Sequence, residues 1–386
     1  MNILLYSWSN TGLKSITNEF IRLGYNVDQI AFEYKDLNFD REFSLNFIQC
    51  LKQKEYNFVF SYNYLPIISN VCNEMRIKYV CWVWDSPLLT LYSKTINNKC
   101  NYIFIFDKAL YYDLKSRGIN QIYYLPLGAD VESLNNMDIN EVDIINFKSD
   151  ISFVGDLYTD RNFYDQINYL PDYIKGYLEG IMQSQLKIYG YNFLEELLTG
   201  DIMAEIKKYV KFDLGEEYFA SDAIIFANLF LGQKVTSLER VNTLDIISKM
   251  YPIDLYTGSK TDMLPRVNNK GYVDYNNEMP KVFKLSKINL NMTLKTIKTG
   301  IPLRIFDIMG SGGFLLTNYQ QELIDYLEPN KDFVYFEDRN DLMNKIDYYL
   351  LHDDERREIA HNGYKKVKEN HTIRRRLIEI LELIET

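Results

Sequence analysis

Residues 300–318, GIPLRIFDIMGSGGFLLTN, combine a cation, a carboxylate and several glycines in one short stretch. A helix over about 303–309 would direct its N-terminal N–H groups, which favour anions, toward a ligand. Arg304 could add a charged contact to a phosphate, and Asp307 could accept hydrogen bonds from ligand hydroxyls. Alternatively, Asp307 caps a neighbouring loop and glycines such as Gly312 only allow close packing of helix and strand. Spacing alone leaves both interpretations open.

A second candidate follows the apolar run ISFVG, residues 151–155, which continues as DLYTDR. Gly155 would let the backbone approach a ligand at the end of a strand, and Arg161 could reach a phosphate. The alternative is a turn glycine followed by a solvated arginine. This signal is weak without a partner elsewhere in the chain.

A carboxylate also ends an apolar run in the first part of the chain. The run KYVCWVW, residues 78–84, stops at Asp85-Ser86-Pro87. General bases of α/β enzymes often lie directly after a strand, so Asp85 is the best candidate for one. A loop aspartate that forms a turn with Ser86 is the alternative.

Several other chemistries lack the residues they need. All three histidines lie in the C-terminal part of the chain, the four cysteines are scattered, and no Asp-x-Asp pair occurs. A histidine triad or zinc site in the first half, a redox dithiol and a diphosphate-chelating metal site are therefore disfavoured. We expect no metal and no cofactor.

The elements that must position these residues read as repeated strand–helix units, which build parallel sheets. Apolar runs predict strands, and amphipathic segments between them, such as 13–23 and 41–54, predict crossover helices. The polar stretch 131–149 reads as a connection. A chain of 386 residues with 47% hydrophobic residues can bury two cores. The predicted strands are 2–7, 26–32, 57–62, 78–84, 101–106, 121–127, 151–155, 253–258, 271–275, 288–293, 312–318 and 333–336.

Charge and hydropathy exclude two classes of partner. The chain carries 53 acidic and 43 basic residues, a net charge of −10 that repels nucleic acid. No apolar stretch approaches the roughly 20 residues that span a bilayer. We therefore expect no nucleic-acid partner, no transmembrane segment and a cytoplasmic protein.

Taken together, the motifs resemble those of the GT-B glycosyltransferases, and within them the family named for the spore maturation protein CgeB. The resemblance is clearest over about 286–376, through SKINLNMTLKTIKTGIPLRIFDIMGSGGFLLTNYQQEL and NHTIRRR. It extends more loosely to YVCWVWDSP, YYLPLGAD and SFVGDLYTDRN in the first 165 residues. The Asn, Lys, Ile and Tyr richness fits a bacterial coding bias.

This resemblance implies a fold of class α/β with two Rossmann-like, doubly wound parallel-sheet domains facing across a cleft. The expected N-terminal acceptor domain is 1–145, and a nucleotide-sugar-binding domain follows at 150–371. The latter carries a helical insertion at about 162–235. A final helix at about 372–386 could pack back on the first domain.

Residue roles follow from the same resemblance. Asp307 and Gly312 match the second acidic residue and the glycine of the family's donor-binding helix, which implies that Asp307 holds the nucleotide ribose. The first acidic position is Thr299 here. Arg161 matches one of two diphosphate cations, and Arg304 is the natural replacement for the other.

The resemblance and these residues lead us to expect a metal-independent hexosyltransferase that uses a nucleotide sugar, with UDP-GlcNAc or UDP-Glc as first choices. Gly155, Arg161, Gly300, Arg304, Asp307 and Gly312 would bind the donor. Asp85 would be catalytic, with Tyr62 and Asn63 on the acceptor side. The acceptor would be a cell-surface or spore-surface glycan or a protein such as flagellin. The alternatives are a weakly active or inactive sugar-nucleotide-binding coat protein and a nucleotide-sugar epimerase.

Overall fold

The computed structural model describes residues 1–7, 12–160, 162–167 and 169–385. The chain forms two compact units, each with its own parallel sheet. Unit 1 comprises Met1–Leu127, Asp213–Ser221 and the C-terminal segment from Ile373, and unit 2 comprises Gly128–Phe212 and Asp222–Thr372.

Unit 1 contains a six-stranded parallel sheet in the order β2-β1-β3-β4-β5-β6. The central strands are apolar along their whole length because helices cover a parallel sheet on both faces. In FVFSY, for example, all five residues are buried. The strands are β1 (Asn2–Tyr6), β2 (Asn26–Ile30), β3 (Phe58–Tyr62), β4 (Lys78–Trp82), β5 (Asn101–Ile105) and β6 (Ile122–Tyr124).

Two helices of unit 1 are capped at their N-termini by carboxylates. Asp40 accepts a hydrogen bond from the N–H of Phe43, and Asp107 accepts from the N–H groups of Ala109 and Leu110. Such caps satisfy helix N–H groups that have no partner within the helix. The helices are α1 (Leu13–Arg22), α2 (Arg41–Leu51), α3 (Pro66–Met75) and α4 (Lys108–Ser116).

Unit 2 contains the second six-stranded parallel sheet, in the order β12-β11-β10-β7-β8-β9. Its central strands, β7 and β10, pair from Ser149 with Ser286 to Phe153 with Leu290. The core of the unit gathers on this sheet and includes Ile151, Phe153 and Leu290. The strands are β7 (Ser149–Val154), β8 (Asp254–Tyr256), β9 (Asn268–Gly271), β10 (Ser286–Asn291), β11 (Leu315–Asn318) and β12 (Val334–Phe336).

The helices of unit 2 include an insertion between β7 and β8 that has its own apolar cluster, with Ile174, Leu178 and Phe226 at its centre. α9 continues through a π-helical stretch, Ala227–Gly232, into α10. The helices are α5 (Val131–Asn135), α6 (Glu141–Phe147), α7 (Asp172–Gln185), α8 (Gly200–Lys207), α9 (Asp222–Phe226), α10 (Gln233–Ser248), α11 (Met279–Leu285), α12 (Leu303–Gly310), α13 (Leu323–Tyr326), α14 (Arg339–Leu351) and α15 (Asp353–Asn370). The final helix α16 (Ile373–Glu385) belongs to unit 1.

Part of the predicted insertion belongs to unit 1. Within Asp213–Ser221, the carbonyl of Glu217 accepts from the N–H of Lys94 at 2.8 Å. The N–H of Phe219 in turn donates to the carbonyl of Tyr92 at 2.9 Å. The side chains of Tyr92 and Phe219 also meet, with ring centroids 5.6 Å apart. These backbone contacts attach the segment to unit 1.

Two predicted segments differ from the structure. The expected connection 131–149 contains α5 and α6, because Asp130 caps the first and Asn140 forms a capping box with Asp143 in the second. Accordingly, the first segment of unit 1 ends at Leu127 rather than at 145. The strand predicted at 271–275 lies instead at β9 and ends at Gly271, whose φ of 79° departs from the extended conformation.

No helix among the described residues is long and apolar enough to cross a membrane.

Candidate functional site

The carboxyl ends of the unit 2 strands lie along one edge of the sheet, and α12 begins there. β10 and β11 are parallel neighbours joined by α12. A crossover helix between parallel strands runs antiparallel to them, so its N-terminus lies at the edge where the first strand ends. The chain after β7 reaches the same edge. Ligands of open α/β sheets bind at this edge.

Asp307 is a buried carboxylate in the middle of α12. Only 2% of its surface is exposed. Its Oδ1 accepts a hydrogen bond from the Tyr275 hydroxyl at 3.0 Å, and its Oδ2 lies 3.7 Å from the guanidinium of Arg304. Burial raises the pKa of Asp307 to about 6, although Arg304 and Tyr275 both favour the charged form. The carboxylate is thus charged at neutral pH and has one polar neighbour on each oxygen.

Arg304 is the more accessible member of this pair, with 28% of its side chain exposed. Its guanidinium lies 5.6 Å from the ring of Phe283 on α11 and also contacts the sulfur of Met279. The carboxylate of Asp307, 3.7 Å away, engages only part of the Arg304 guanidinium. The other N–H groups of this planar guanidinium can donate to a ligand anion. The first turn of α12 therefore offers a partly exposed cation beside helix N–H groups.

The two glycines of the predicted donor site lie at opposite ends of α12. Gly300 is buried in the connection that precedes the helix. Gly312 follows the C-terminus, where its φ of 80° is the left-handed conformation of a helix C-cap. Eight helical residues span about 12 Å, so Gly312 lies one helix length from the proposed anion site. Helix capping explains its conformation, and the donor contact predicted for Gly312 stays a prediction.

The loop after β7 contains Gly155, whose N–H donates to the carbonyl of Tyr256 at 3.1 Å. Arg161, predicted from the same loop, lies outside the described residues. Asp156 is engaged within the unit, since its Oδ1 accepts from the Ser259 hydroxyl at 2.7 Å and from the N–H of Tyr158 at 2.6 Å. Gly155 therefore joins a loop that is held tightly to the end of β8.

Arg240, on α10, is a cation of this edge that sequence reasoning missed. Its guanidinium donates to the carbonyls of Asp156 and Met292, which follow β7 and β10 directly. The residue is 9% exposed, and burial lowers the pKa of its guanidinium. Among the described residues no carboxylate forms an ion pair with it. A lone arginine in SLERVNT has no neighbouring motif, so no sequence signal identified it.

In unit 1, Asp85 follows β4 and is fixed by Asn63, which follows β3. The Asn63 amide donates to Oδ2 of Asp85 at 2.7 Å, and its carbonyl oxygen accepts from the N–H groups of Trp84 and Asp85. Asn63 adopts a left-handed φ of 53°, which asparagine tolerates better than most residues. One side chain thus holds both the loop and the carboxylate.

The Asp85 carboxyl remains in contact with solvent, but surrounding protein displaces much of its hydration. This desolvation raises the pKa of Asp85, while the hydrogen bond from Asn63 opposes the shift. Among the described residues no cation forms an ion pair with it. A carboxylate with a raised pKa and no cation beside it suits proton transfer.

The two predicted acceptor-side residues support Asp85 from below the surface. Tyr62 is 3% exposed and Asn63 is 4% exposed. The Tyr62 ring lies 4.8 Å from the ring of Trp84, which also covers Gly12. Trp84 is partly exposed beside Asp85. Because Trp84 ends an apolar strand-like run, its sequence context predicts a core residue and not a site residue.

No group of three or more His, Cys, Asp or Glu side chains that could hold a metal ion occurs in the described part of the chain.

Comparison with known proteins agrees with this architecture. Residues 235–382 match a family model described as glycosyl transferase-like. The matched segment includes Arg240 and α12, but it does not include the loop after β7. It covers less than half of the chain. A search of curated protein sequences gives no match.

Solved structures share the fold at low sequence identity. A sucrose-phosphate synthase from Thermosynechococcus elongatus matches with a TM-score of 0.59 and 11% identity, over 100% of this chain and 98% of that chain. The Anabaena protein Alr3699/HepE, solved in complex with UDP-glucose, matches with a TM-score of 0.56 and 10% identity, over 100% and 99%. A glycosyltransferase from Rickettsia africae matches with a TM-score of 0.52 and 11% identity, over 100% and 97%.

The fold is therefore the two-domain α/β fold of the GT-B glycosyltransferases, as predicted. The family model indicates similarity to glycosyltransferases over residues 235–382. The narrower CgeB-like group stays a prediction.

Proposed function

We propose that the protein is a glycosyltransferase that moves a hexosyl group from a UDP-sugar to an acceptor hydroxyl, in the manner of the CgeB-like group. The observation that carries this proposal is the pairing of Arg304, in the first turn of α12, with Asp307 in the middle of the same helix. Arg304 offers a positive charge to a phosphate, and Asp307 offers a carboxylate to neighbouring hydroxyls. A nucleoside diphosphate contains both a diphosphate and ribose hydroxyls.

Donor binding would use the carboxyl edge of the unit 2 sheet. Arg304 and the first turn of α12 would hold the diphosphate, assisted by Arg161 and by the backbone at Gly155 and Gly300. Asp307 would bind the ribose, exchanging its hydrogen bond from Tyr275 for one from a ribose hydroxyl. Because only 2% of Asp307 is exposed, this exchange would also require the groups that cover the carboxylate to move.

The chemistry would need no metal ion. Negative charge develops on the diphosphate as the bond to the sugar breaks, and fixed cations and helix N–H groups stabilise that charge. Arg240 would contribute indirectly, because it is a buried cation that holds the loops after β7 and β10 in place.

Asp85 of unit 1 would act on the acceptor. If the reaction inverts the anomeric centre, Asp85 takes the proton of the acceptor hydroxyl, and its raised pKa suits that role. If the reaction retains configuration, Asp85 positions the acceptor instead. Asn63 would keep the carboxylate oriented in either case. We propose a bacterial, cytoplasmic setting and a cell-surface or spore-surface glycan or protein, such as flagellin, as the acceptor.

A panel of UDP-, GDP- and TDP-sugars incubated with the protein tests the proposal. A transferase slowly hydrolyses its donor, so we expect released UDP from UDP-glucose or UDP-N-acetylglucosamine. Conversion of the sugar without released nucleotide would identify an epimerase. Binding of UDP-sugars with neither product would identify a sugar-nucleotide-binding protein without turnover.

A further inference from the structure

Tyrosine and lysine side chains contact one another in a row at the β6 edge of the unit 1 sheet. Nζ of Lys78, on β4, lies 5.6 Å from the ring centre of Tyr102 on β5. The ring of Tyr102 stacks on the ring of Tyr123 on β6, with centroids 6.0 Å apart. Nζ of Lys115, on α4, lies 6.0 Å from the same Tyr123 ring. The row is therefore continuous from β4 to the helix beside the edge strand.

Helix α4 extends this row beyond the sheet. Nζ of Lys115 also lies 5.8 Å from the ring of Tyr111, which meets the ring of Tyr112 at 5.2 Å. Tyr112 is 64% exposed, and Leu114 is the one buried residue of α4, all of which is described. The helix thus leaves a tyrosine ring open to a partner. We define the tyrosine–lysine surface as Lys78, Tyr102, Tyr111, Tyr112, Lys115 and Tyr123.

The tyrosine–lysine surface carries positive charge in a chain whose net charge is −10. Nζ of Lys78 donates to the carbonyl of Ile384, and Nζ of Lys115 donates to the carbonyl of Asn120 at 3.1 Å. Lys108 begins the same helix and lies over another tyrosine of β6 at 5.3 Å. A neutral carbonyl or an aromatic ring orients an ammonium group without cancelling its charge. The surface therefore attracts an anionic partner.

The arrangement of the rings and charges indicates which anionic partner fits. Asp113, the one acidic residue of α4, is paired with Arg117 at 3.1 Å. The rings of Tyr102 and Tyr123 are nearly parallel, at 9°, and each has a lysine beside it, so a sugar could stack on them only by displacing a lysine. Tyrosine rings and lysine ammonium groups together suit the headgroup region of a lipid bilayer, where phosphates attract the cations and the rings lie at headgroup level.

We propose that the tyrosine–lysine surface docks unit 1 on the anionic headgroups of a lipid bilayer. The lysines attract the phosphate groups, and the exposed ring of Tyr112 enters the headgroup region. Lys78 begins β4, whereas Asp85 follows the other end of that strand, so docking leaves the Asp85 edge of the sheet uncovered. Contact of this kind is reversible and needs no membrane-spanning helix.

Co-sedimentation of the full chain with lipid vesicles tests the proposal. Vesicles of equal parts of phosphatidylglycerol and phosphatidylcholine should bind the chain at least about 10-fold more strongly than vesicles of phosphatidylcholine alone, at about 0.1 M salt. Raising the salt concentration to about 0.5 M should remove most of this binding, because the attraction is screened. Equal binding to the two kinds of vesicle, or binding to neither, would overturn the proposal.

The lysines are tested one at a time. Lys78→Gln and Lys115→Gln should each weaken binding to the anionic vesicles by about 5-fold, the usual contribution of one lysine near a membrane surface. The matched control is Lys270→Gln, which changes an exposed lysine on the edge strand β9 of unit 2 and should leave binding unchanged. Circular dichroism checks that each variant folds. Unchanged vesicle binding in the folded Lys78 and Lys115 variants would overturn the assignment to this surface.

Tyr112→Ser separates entry of the ring from attraction by charge. This variant should bind the anionic vesicles about 3-fold more weakly, because less apolar surface enters the headgroup region. Tyr272→Ser, which changes a tyrosine of unit 2 that is 76% exposed, is the control and should bind as the natural chain does. Unchanged binding of Tyr112→Ser would overturn the role of that ring.

An acidic polypeptide is the other class of partner that the same titrations distinguish. Binding of poly-glutamate without binding of vesicles would identify such a partner and overturn the membrane proposal. Vesicle binding is measured without a nucleotide sugar, so its failure would leave the proposed function standing.

Discussion

The strand-end sites of the two units place carboxylates in opposite surroundings. In unit 1, Asp85 is held by the neutral amide of Asn63, and no described cation pairs with it. In unit 2, Asp307 lies 3.7 Å from Arg304, and the buried Arg240 lies at the same sheet edge. A solvent-contacting carboxylate without a cation is suited to accept a proton, whereas a cationic edge is suited to bind an anion. Similar sheets thus support different chemistry.

The largest effect is expected in unit 1. Asp85→Asn keeps the size and the hydrogen bond from Asn63 but removes the base, so transfer turnover should fall by about 100-fold or more in an inverting enzyme. UDP binding should be unchanged, because the residue belongs to the other unit. Turnover assays should compare Asp85→Asn with the natural chain and with Asp113→Asn, a control variant on the surface. Full activity of Asp85→Asn would remove its catalytic role.

The buried carboxylate of unit 2 should be visible in the pH dependence of stability. Because the pKa of Asp307 is raised from 3.8 to about 6, its folded form binds the proton more tightly than the unfolded chain. The stability that its protonation provides is therefore present below pH 3.8 and is lost as pH rises through 6. Asp307→Asn should abolish this loss. The free energy of unfolding of Asp307→Asn, measured relative to that of the natural chain, should be about 1 kcal/mol greater at pH 7.5 than at pH 5.

Urea unfolding at the two pH values measures that difference. Asp347→Asn, which changes an exposed carboxylate on α14, is the control and should show no such trend. A pH-independent effect of Asp307→Asn would show that Asp307 is not desolvated as described.

The cation of unit 2 is tested by Arg304→Ala. Loss of a charge-assisted contact should raise the dissociation constant for UDP by about 10- to 100-fold, which corresponds to about 1.5–3 kcal/mol. Arg304→Lys should recover part of the affinity, since lysine keeps the charge but not the planar fork. Arg357→Ala, with a side chain 73% exposed on α15, is the control in calorimetry. Unchanged UDP binding would exclude Arg304 from the donor site.

The last prediction concerns the far end of α12. Gly312→Ala should cost about 1–2 kcal/mol of stability, because alanine at a φ of 80° is strained although its Cβ meets no atom within 4 Å. UDP binding should be unaffected. Gly180→Ala, inside α7 and also without a neighbour at the Cβ position, should instead stabilise by about 0.5–1 kcal/mol. A large loss of UDP affinity in Gly312→Ala would support the donor role predicted for Gly312.

The repeating strands and helices were predictable because parallel sheets need continuous apolar strands with amphipathic crossovers. The strand at 57–62 and the helix at 13–23 are within two residues of β3 and α1. The errors occurred where one residue changes the local conformation. Gly271 ends β9 early, and the caps at Asp130 and Asn140 start helices inside a polar connection.

The sequence could not predict which residues far apart in the chain contact each other in the fold. Asp213–Ser221 joins unit 1 through hydrogen bonds to Tyr92 and Lys94, which lie more than 100 positions earlier. Arg240 likewise reaches the ends of two strands far from it in sequence. Candidate residues such as Asp85 and Asp307 could be found from their position after a strand or on a helix. Their hydrogen-bond partners, Asn63 and Tyr275, could be identified only from the folded structure.

The central claim is that the carboxyl edge of the unit 2 sheet, and not that of unit 1, holds the nucleotide diphosphate. A crystal structure of the protein soaked with UDP and UDP-N-acetylglucosamine tests it most directly. We expect the diphosphate within hydrogen-bond distance of Arg304 and the first turn of α12, with the ribose beside Asp307. UDP bound at Asp85 in unit 1, away from Arg304, would contradict it.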